Sequence, residues 1–307
     1  MNIKIVGGSG YLGNRIHNFL ECQNYSVLSS TRRKSNLNRK LIYVDLKSPE
    51  SINNFCDYDD TVIFSGGMNQ ATCNNSSTKL LNEEINNFYH FYDECLKKRI
   101  KKFIYISTSQ VYSEQNELIN EESNIFSKDA YTNRHIKAED YILSNNNKNT
   151  QNYIIRLSNA FGPPVNPNTK CWHLAVNDFA LNSVIKNQIK IRSDGKQIKN
   201  FVDIKYFCEA ILFILKQNTK ENNIIYNIGG YRSFNIYSVA KLVAERNKLN
   251  SGINTNIINK PEIKTNSHKF SFSSKKIVNA GFRKHSKEDL IVEIDNLITF
   301  CNKHQLK

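Results

Sequence analysis

A short strand-like run, Asn2 to Val6, leads straight into Gly7-Gly8-Ser9-Gly10-Tyr11-Leu12-Gly13, and an amphipathic stretch follows. Strand, glycine turn and helix in that order leave few architectures open. The spacing satisfies both GxGxxG from Gly8 and GxxGxxG from Gly7. Small residues there let the backbone turn sharply, approach a pyrophosphate and seat the next helix on the sheet, while the helix N-terminus offers N–H donors to phosphate. Gly7, Gly10, Tyr11, Leu12 and Gly13 are therefore read as a dinucleotide cradle, with a plain tight turn as the alternative.

The alternation continues along the chain. Apolar runs predict strands at Ile3–Val6, Ser26–Ser30, Leu41–Val44, Thr61–Phe64, Lys102–Ser107 and Tyr153–Leu157. Helical spacing falls between them, near Tyr11–Gln23, Pro49–Cys56, Lys79–Arg99 and Tyr131–Ser144. Strands separated by helices of this length pair in parallel through right-handed crossovers. The expected fold is α/β, a Rossmann-type doubly wound parallel sheet with a smaller C-terminal α/β substrate-binding region. Gly162-Pro163-Pro164 and Pro167 mark the change of texture. Residues 1–160 are expected to form the nucleotide-binding domain, with 200–226 packing back onto it, and 161–199 and 227–307 the substrate-binding region.

Composition narrows the partners. The 307 residues suit about two domains. Lys and Arg outnumber Asp and Glu by 42 to 28, a net charge of +14, but the cations sit in scattered pairs and triplets rather than one stripe. No nucleic-acid partner is expected, and the charge suits attraction of an anionic small molecule. Seven widely spaced cysteines with no CxxC pair support neither a metal site nor a disulfide framework. No apolar stretch of signal-peptide length opens the chain, and Ala210–Leu215 is too short to span a bilayer. The expected location is cytoplasmic, with no membrane partner.

At the end of the second strand, a dinucleotide site usually places an acid on the adenosine ribose. Ser29-Ser30-Thr31-Arg32-Arg33 offers none. An arginine there pairs with a 2′-phosphate through its fork of donors, so the sequence favours NADP(H), and less so NAD(H), with Arg32 as the contact. The alternative is a pair of solvated arginines at a strand end.

Further motifs follow in order: Ser107-Thr108 with Val111-Tyr112, the helix Tyr131 to Glu139, Arg156-Leu157-Ser158-Asn159-Ala160-Phe161-Gly162-Pro163, Asp194-Gly195 leading to Phe201-Val202, and Asn227-Ile228-Gly229-Gly230. With the glycine turn, this series resembles the extended short-chain dehydrogenase/reductase family, the NAD(P)-dependent nucleotide-sugar epimerases, dehydratases and reductases. The resemblance implies that Thr108 hydrogen-bonds the reacting oxygen and Tyr131 is the general acid or base. It implies Gly66 beside the nicotinamide half, Asn159 and Lys199 on a substrate diphosphate, and a homodimer through a helix pair. Trp172 is read as a core residue, with stacking on a nucleobase as the alternative.

The family's Tyr-x-x-x-Lys is interrupted, because His135 stands where the lysine would hold the nicotinamide ribose and lower the tyrosine pKa. His135 is accordingly assigned both a catalytic and a cofactor-binding role. A neutral imidazole supplies that field only in part. Lys137 lies on the far side of the helix from Tyr131, whereas Arg134 is only about 60° away and is placed to contribute charge. Three readings of His135 stand side by side: a working variant, a relic in a protein that binds cofactor without turnover, or a helix-face histidine.

The function these residues imply is NADP(H)-dependent reduction of a nucleotide-diphosphate keto-sugar, with Tyr131 as acid/base. The alternatives are an epimerase of the same family with tightly held NAD(P), and a non-catalytic NADP-binding protein. Ser109-Gln110 after Thr108 lack the carboxylate a dehydratase needs for elimination.

Overall fold

The computed structural model describes residues 2–32, 40–112, 117–145, 147, 149–265 and 270–304. The chain opens β1 (Asn2–Val6), α1 (Tyr11–Cys22), β2 (Ser26–Thr31), β3 (Leu41–Tyr43), α2 (Pro49–Asn53), β4 (Thr61–Phe64), α3 (Gln70–Asn74) and α4 (Thr78–Lys97). It continues β5 (Lys102–Thr108), β6 (Leu118–Ile119), α5 (Ala130–Ser144), β7 (Gln151–Leu157), β8 (Asn159–Phe161), α6 (Ala175–Lys186), β9 (Gln188–Lys190) and β10 (Ile198–Asp203). The remainder is α7 (Ile204–Lys216), β11 (Asn223–Ile228), β12 (Ser233–Asn235), α8 (Ile236–Ser251), β13 (Asn256–Ile258), β14 (Ser271–Phe272), α9 (Lys275–Asn279) and α10 (Lys287–His304).

Two compact units emerge. The first takes residues 1–114, 121–157 and 211–226, the second 115–120, 158–210 and 227–307. Of the stretch expected to return to the nucleotide-binding domain, 211–226 belongs to the first unit and 200–210 to the second.

The first unit is built on a seven-stranded sheet in the order β11-β7-β5-β4-β1-β2-β3. Pairing is parallel from β3 through β2, β1, β4 and β5 to β7. Every residue of β4 and β5 is buried, as expected of central parallel strands covered on both faces. Between sheet and α4, an aromatic layer fills the core. Phe64 meets Phe88 edge to face at 5.0 Å, and Tyr92 meets Phe103 at 4.8 Å. Chain order along the sheet reverses between β1 and β4. Crevices at such a switch point, outside the carboxyl ends of the strands, are where doubly wound sheets bind ligands.

In the second unit, β10 pairs with β8 in parallel and with β12 antiparallel, and β9 pairs with β13 in parallel. Phe161, Phe179, Phe201, Val243 and Leu297 belong to its core, onto which Trp172 packs. Trp172 donates through Nε1 to the Pro167 carbonyl at 3.0 Å and stacks on Phe300. Trp172 thus has the packing role favoured from sequence. Among the described residues no helix is long and apolar enough to cross a membrane.

Candidate active site

The glycine turn divides its labour. Gly7 leaves β1 with φ +85°, and a Cβ there would lie 2.9 Å from Gly66 Cα, so the turns after β1 and β4 pack backbone to backbone. A Cβ on Gly13 would fall 2.3 Å from the Gly7 carbonyl, which is why α1 can seat so close to its strand. Gly10 differs. A Cβ there meets only the Gly7 oxygen, at 3.1 Å. Gly10 is the N-cap of α1 without a side-chain cap, and Tyr11 and Leu12 open the helix. Ser65 ties the two turns together, donating from N and Oγ to the Val6 carbonyl at 3.0 and 2.8 Å. These residues fit the phosphates of a dinucleotide.

At the end of β2, Thr31 donates to Ser9 Oγ at 3.2 Å, and no carboxylate belongs to the strand. Arg32 reaches instead to Glu84 of α4, at 2.8 Å, with its side chain 60% exposed. Arg33 lies outside the described residues.

The hydroxyl pair is assembled by two local devices. Thr108 closes β5 and caps the tight turn Ser109–Val111, its Oγ1 accepting from Gln110 N at 3.2 Å. That leaves the Thr108 O–H as a donor. Tyr131 enters in the first turn of α5, whose start is fixed by a reciprocal cap. Asp129 accepts from Thr132 N at 2.8 Å, and Thr132 Oγ1 accepts from Asp129 N at 3.1 Å. The Thr108 side chain comes near enough to Tyr131 to favour the ionised phenol. Burial pushes the Tyr131 phenol above its ordinary pKa, against the opposing pull of the Arg134 charge and the Thr108 side chain.

His135 makes two side-chain contacts within the protein. Its Nδ1 meets Tyr105 Oη at 2.9 Å and its Nε2 meets Arg134 Nη2 at 3.0 Å. Because a guanidinium only donates, Nε2 carries the lone pair and the ring proton sits on Nδ1, donated to Tyr105. Burial and then the Arg134 charge hold His135 well below its usual pKa, so it is neutral. Its ring stands edge-on to Tyr131, with centroids 4.7 Å apart. Both ring nitrogens of His135 are engaged within the chain.

Behind the pair lies a buried network. Glu139 accepts from Ser107 Oγ and from Arg156, Nη2 at 2.7 Å and Nε at 3.1 Å, while Arg156 Nη1 donates to Tyr112 Oη at 3.0 Å. One ion pair thus joins the residue before Thr108, the helix carrying Tyr131, and β7.

In the second unit, Asn159 and Lys199 sit on the same small sheet. Asn159 donates from Nδ2 to the Asn200 carbonyl at 2.8 Å. Asn200 accepts from Ser158 Oγ at 2.8 Å and Gly230 N at 2.7 Å. It holds the Asn227–Gly230 turn in place.

Residues 3–229 match the profile of the NAD dependent epimerase/dehydratase family. The chain belongs to that family. It is similar, at 23% identity over 269 residues, to the trifunctional UDP-glucose 4,6-dehydratase/UDP-4-keto-6-deoxy-D-glucose 3,5-epimerase/UDP-4-keto-L-rhamnose-reductase of Arabidopsis thaliana. The match takes in 80% of this chain but only 39% of that relative's length. The fold is similar to UDP-glucose 4-epimerase from Thermus thermophilus in complex with NAD, with TM-score 0.75 at 19% identity, covering 97% of this chain and 99% of that one. It is similar also to RMD from Pseudomonas aeruginosa complexed with NADPH, with TM-score 0.78 at 15% identity and 99% of each chain.

Within this epimerase/dehydratase frame, three features escaped the sequence. Tyr105 is the partner of His135 on a strand buried along its whole length, and nothing in the spacing names it. Helix α3, tied to α5 by Gln70 donating to Asp129 at 2.8 Å, has the signal of an Asn69 cap. The Ser107–Glu139–Arg156 network joins residues too far apart in sequence for any local pattern to reveal.

Proposed function

We propose that this family member is an NADP(H)-dependent oxidoreductase that reduces a nucleotide-diphosphate keto-sugar, with Tyr131 as proton donor. The observation that carries the reading is the placement of Tyr131, in the first turn of α5, beside Thr108 at the end of β5, with desolvation raising the phenol above its ordinary pKa. Reduction needs a proton donor where an alkoxide develops, and a phenol above its ordinary pKa is a donor at neutral pH.

Gly7, Gly10, Tyr11, Leu12, Gly13 and Gly66 would hold the dinucleotide, which supplies a hydride when bound. Tyr131 Oη gives its proton to the sugar oxygen as charge grows there, and Thr108 donates its O–H to the same atom. Asn159 and Lys199 are the proposed contacts of the diphosphate. Lys199 keeps a positive charge there but lacks a guanidinium's two-pronged fork, so looser binding is expected.

The preference for NADP(H) rests on the absence of an acid on β2 and on Arg32, which would exchange Glu84 for a 2′-phosphate. The NADPH-bound Pseudomonas structure supports the reading, and the NAD-bound epimerase supports its rival. The Arabidopsis relative's name includes a keto-sugar reductase among its three activities.

The test is incubation of purified protein with NADPH and a panel of nucleotide keto-sugars, following reduced nicotinamide absorbance. Its loss with one sugar is expected. Interconversion of sugars with no net loss would replace the reading with epimerisation, and tight cofactor binding without any sugar chemistry would replace it with a binding protein.

A further inference from the structure

Taking a guanidinium out of water is costly unless something compensates. Arg134 is 8% exposed, yet the partners that hold it are neutral, namely His135 Nε2 at 3.0 Å and the Met68 carbonyl at 3.5 Å. Glu84, already paired with Arg32, acts on it only through the field. Its Nε is buried with no hydrogen-bond partner among the described residues, a donor that a ligand oxygen would satisfy.

The guanidinium presses on the turn after β4. A Cβ on Gly67 would lie 2.5 Å from Arg134 Nη1, so that glycine, with φ +131°, makes room for it. From there the Arg134 Cζ stands 5.9 Å from the Tyr131 ring centre.

We propose that Arg134 supplies the fixed cation beside the Tyr131–Thr108 pair, and that His135 is a positioning residue that holds the guanidinium rather than a ligand of the cofactor. The proposal rests on the reading of Tyr131 as the acid/base residue. Its logic is one of exchange along a helix. Moving the cation from the fourth residue after Tyr131 to the third shifts it around α5 and lengthens its reach. A neutral imidazole then fills the vacated position and braces the arginine. Tyr105 completes the brace by accepting the His135 Nδ1 proton. A guanidinium keeps its charge at any pH the protein survives, so the field on Tyr131 is constant.

The other groups facing Tyr131 are Thr108 on β5, Cys73 on α3 and Asp129 at the α5 cap. Tyr105 and His135 are neutral at working pH, since burial pushes the first up and the second down. Arg134 is the cation in this set.

The experiment places a single difluorotyrosine at position 131, whose fluorines bring the phenol's ionisation into the range where the protein is folded. Its ¹⁹F resonance is titrated without cofactor or substrate, and NADPH affinity is measured in parallel by fluorescence. R134Q is expected to raise the titration by about one unit or more, while H135Q, whose amide oxygen still accepts from Arg134, leaves it within about half a unit. R134Q is expected to weaken NADPH about tenfold and H135Q by less than about threefold. A titration in R134Q within a few tenths of wild type, or a larger effect from H135Q, overturns the proposal. Where R134Q does not fold, R134K and the double variant R134N/H135K decide. Each keeps one cation and is expected within about half a unit of wild type, and a rise of about one unit in both overturns it. Absence of turnover in wild type would remove the enzymatic reading, while the ¹⁹F titration of the protein alone still judges Arg134.

Discussion

Arg134 Nη2 lies 3.0 Å from His135 Nε2, and the two residues are sequence neighbours on α5. The guanidinium fixes its neighbour's tautomer and, together with burial, keeps that ring from taking up a proton. A charge carried by one side chain thus sets the protonation of the next, and the consequences reach both stability and turnover.

The first consequence is acid sensitivity. His135 is neutral when folded but takes up a proton when unfolded as pH falls below 6.5. The unfolded state then binds more protons, so unfolding free energy falls with pH. The loss amounts to about 1.4 kcal/mol per pH unit for this one group, starting near the unfolded value. His17, also lowered by burial, adds to the same side. Denaturant titrations between pH 7.5 and 5 are expected to show this slope in wild type and a slope smaller by about one proton in H135Q. Equal slopes would mean that His135 is protonated in the folded protein.

Restoring the family's lysine by H135K is expected to lower activity rather than raise it. The new ammonium would share a buried space with Arg134, and Tyr105 would lose the donor it now accepts from. A fall in kcat of about tenfold or more is expected, with recovery toward wild type in R134N/H135K. A gain in kcat from H135K alone would show that position 135 is where the charge is wanted.

The glycines separate a cradle from a plain turn. G13A forces a Cβ to 2.3 Å from the Gly7 carbonyl and is expected to cost about 1–3 kcal/mol of stability. G10A meets only one contact, at 3.1 Å, so its melting temperature should stay near that of wild type. Its NADPH dissociation constant should nonetheless rise about tenfold, because the methyl occupies the ligand's approach. If G10A binds dinucleotide as wild type does, the turn has no ligand role.

Much of this was legible in the chain itself. The first unit's sheet reads directly from period and punctuation, because buried parallel strands are short apolar runs and their helices begin at caps such as Asp129 and Ser77. The small strands β6, β8, β12 and β14 were not legible. They run to two or three residues and exist only through their partners, which no local pattern encodes. At the site, helical geometry places Arg134 near Tyr131, as the structure has it. The contact of His135 with Tyr105 is not legible, because its partner lies 30 positions away on another element.

Cofactor choice turns on the exposed Arg32–Glu84 pair, 2.8 Å apart. An exposed ion pair contributes little to stability, so neither partner is needed for folding. R32A is expected to weaken NADPH about tenfold and leave NADH nearly unchanged, whereas E84Q frees the arginine and tightens NADPH by a few-fold. Calorimetry with both cofactors reads the ratio, and an unchanged ratio in R32A would assign the preference elsewhere.

The deepest dependence is on Glu139 and Arg156, 2.7 Å apart and buried between the strand that ends in Thr108 and the helix that begins with Tyr131. Removing one member leaves the other charge without compensation, and breaking a buried pair costs about 3–5 kcal/mol. E139Q keeps the shape and the Ser107 contact but withdraws the carboxylate from Arg156, and a marked fall in melting temperature is expected. The double variant E139Q/R156M removes both charges and should recover part of that loss, because a neutral pair pays no desolvation penalty. Its kcat should stay depressed even where stability returns, since the bonds from Arg156 to Tyr112 and from α5 to β7 are gone and the Tyr131–Thr108 pair is no longer held from behind. Recovery of kcat in step with stability would make the network structural only.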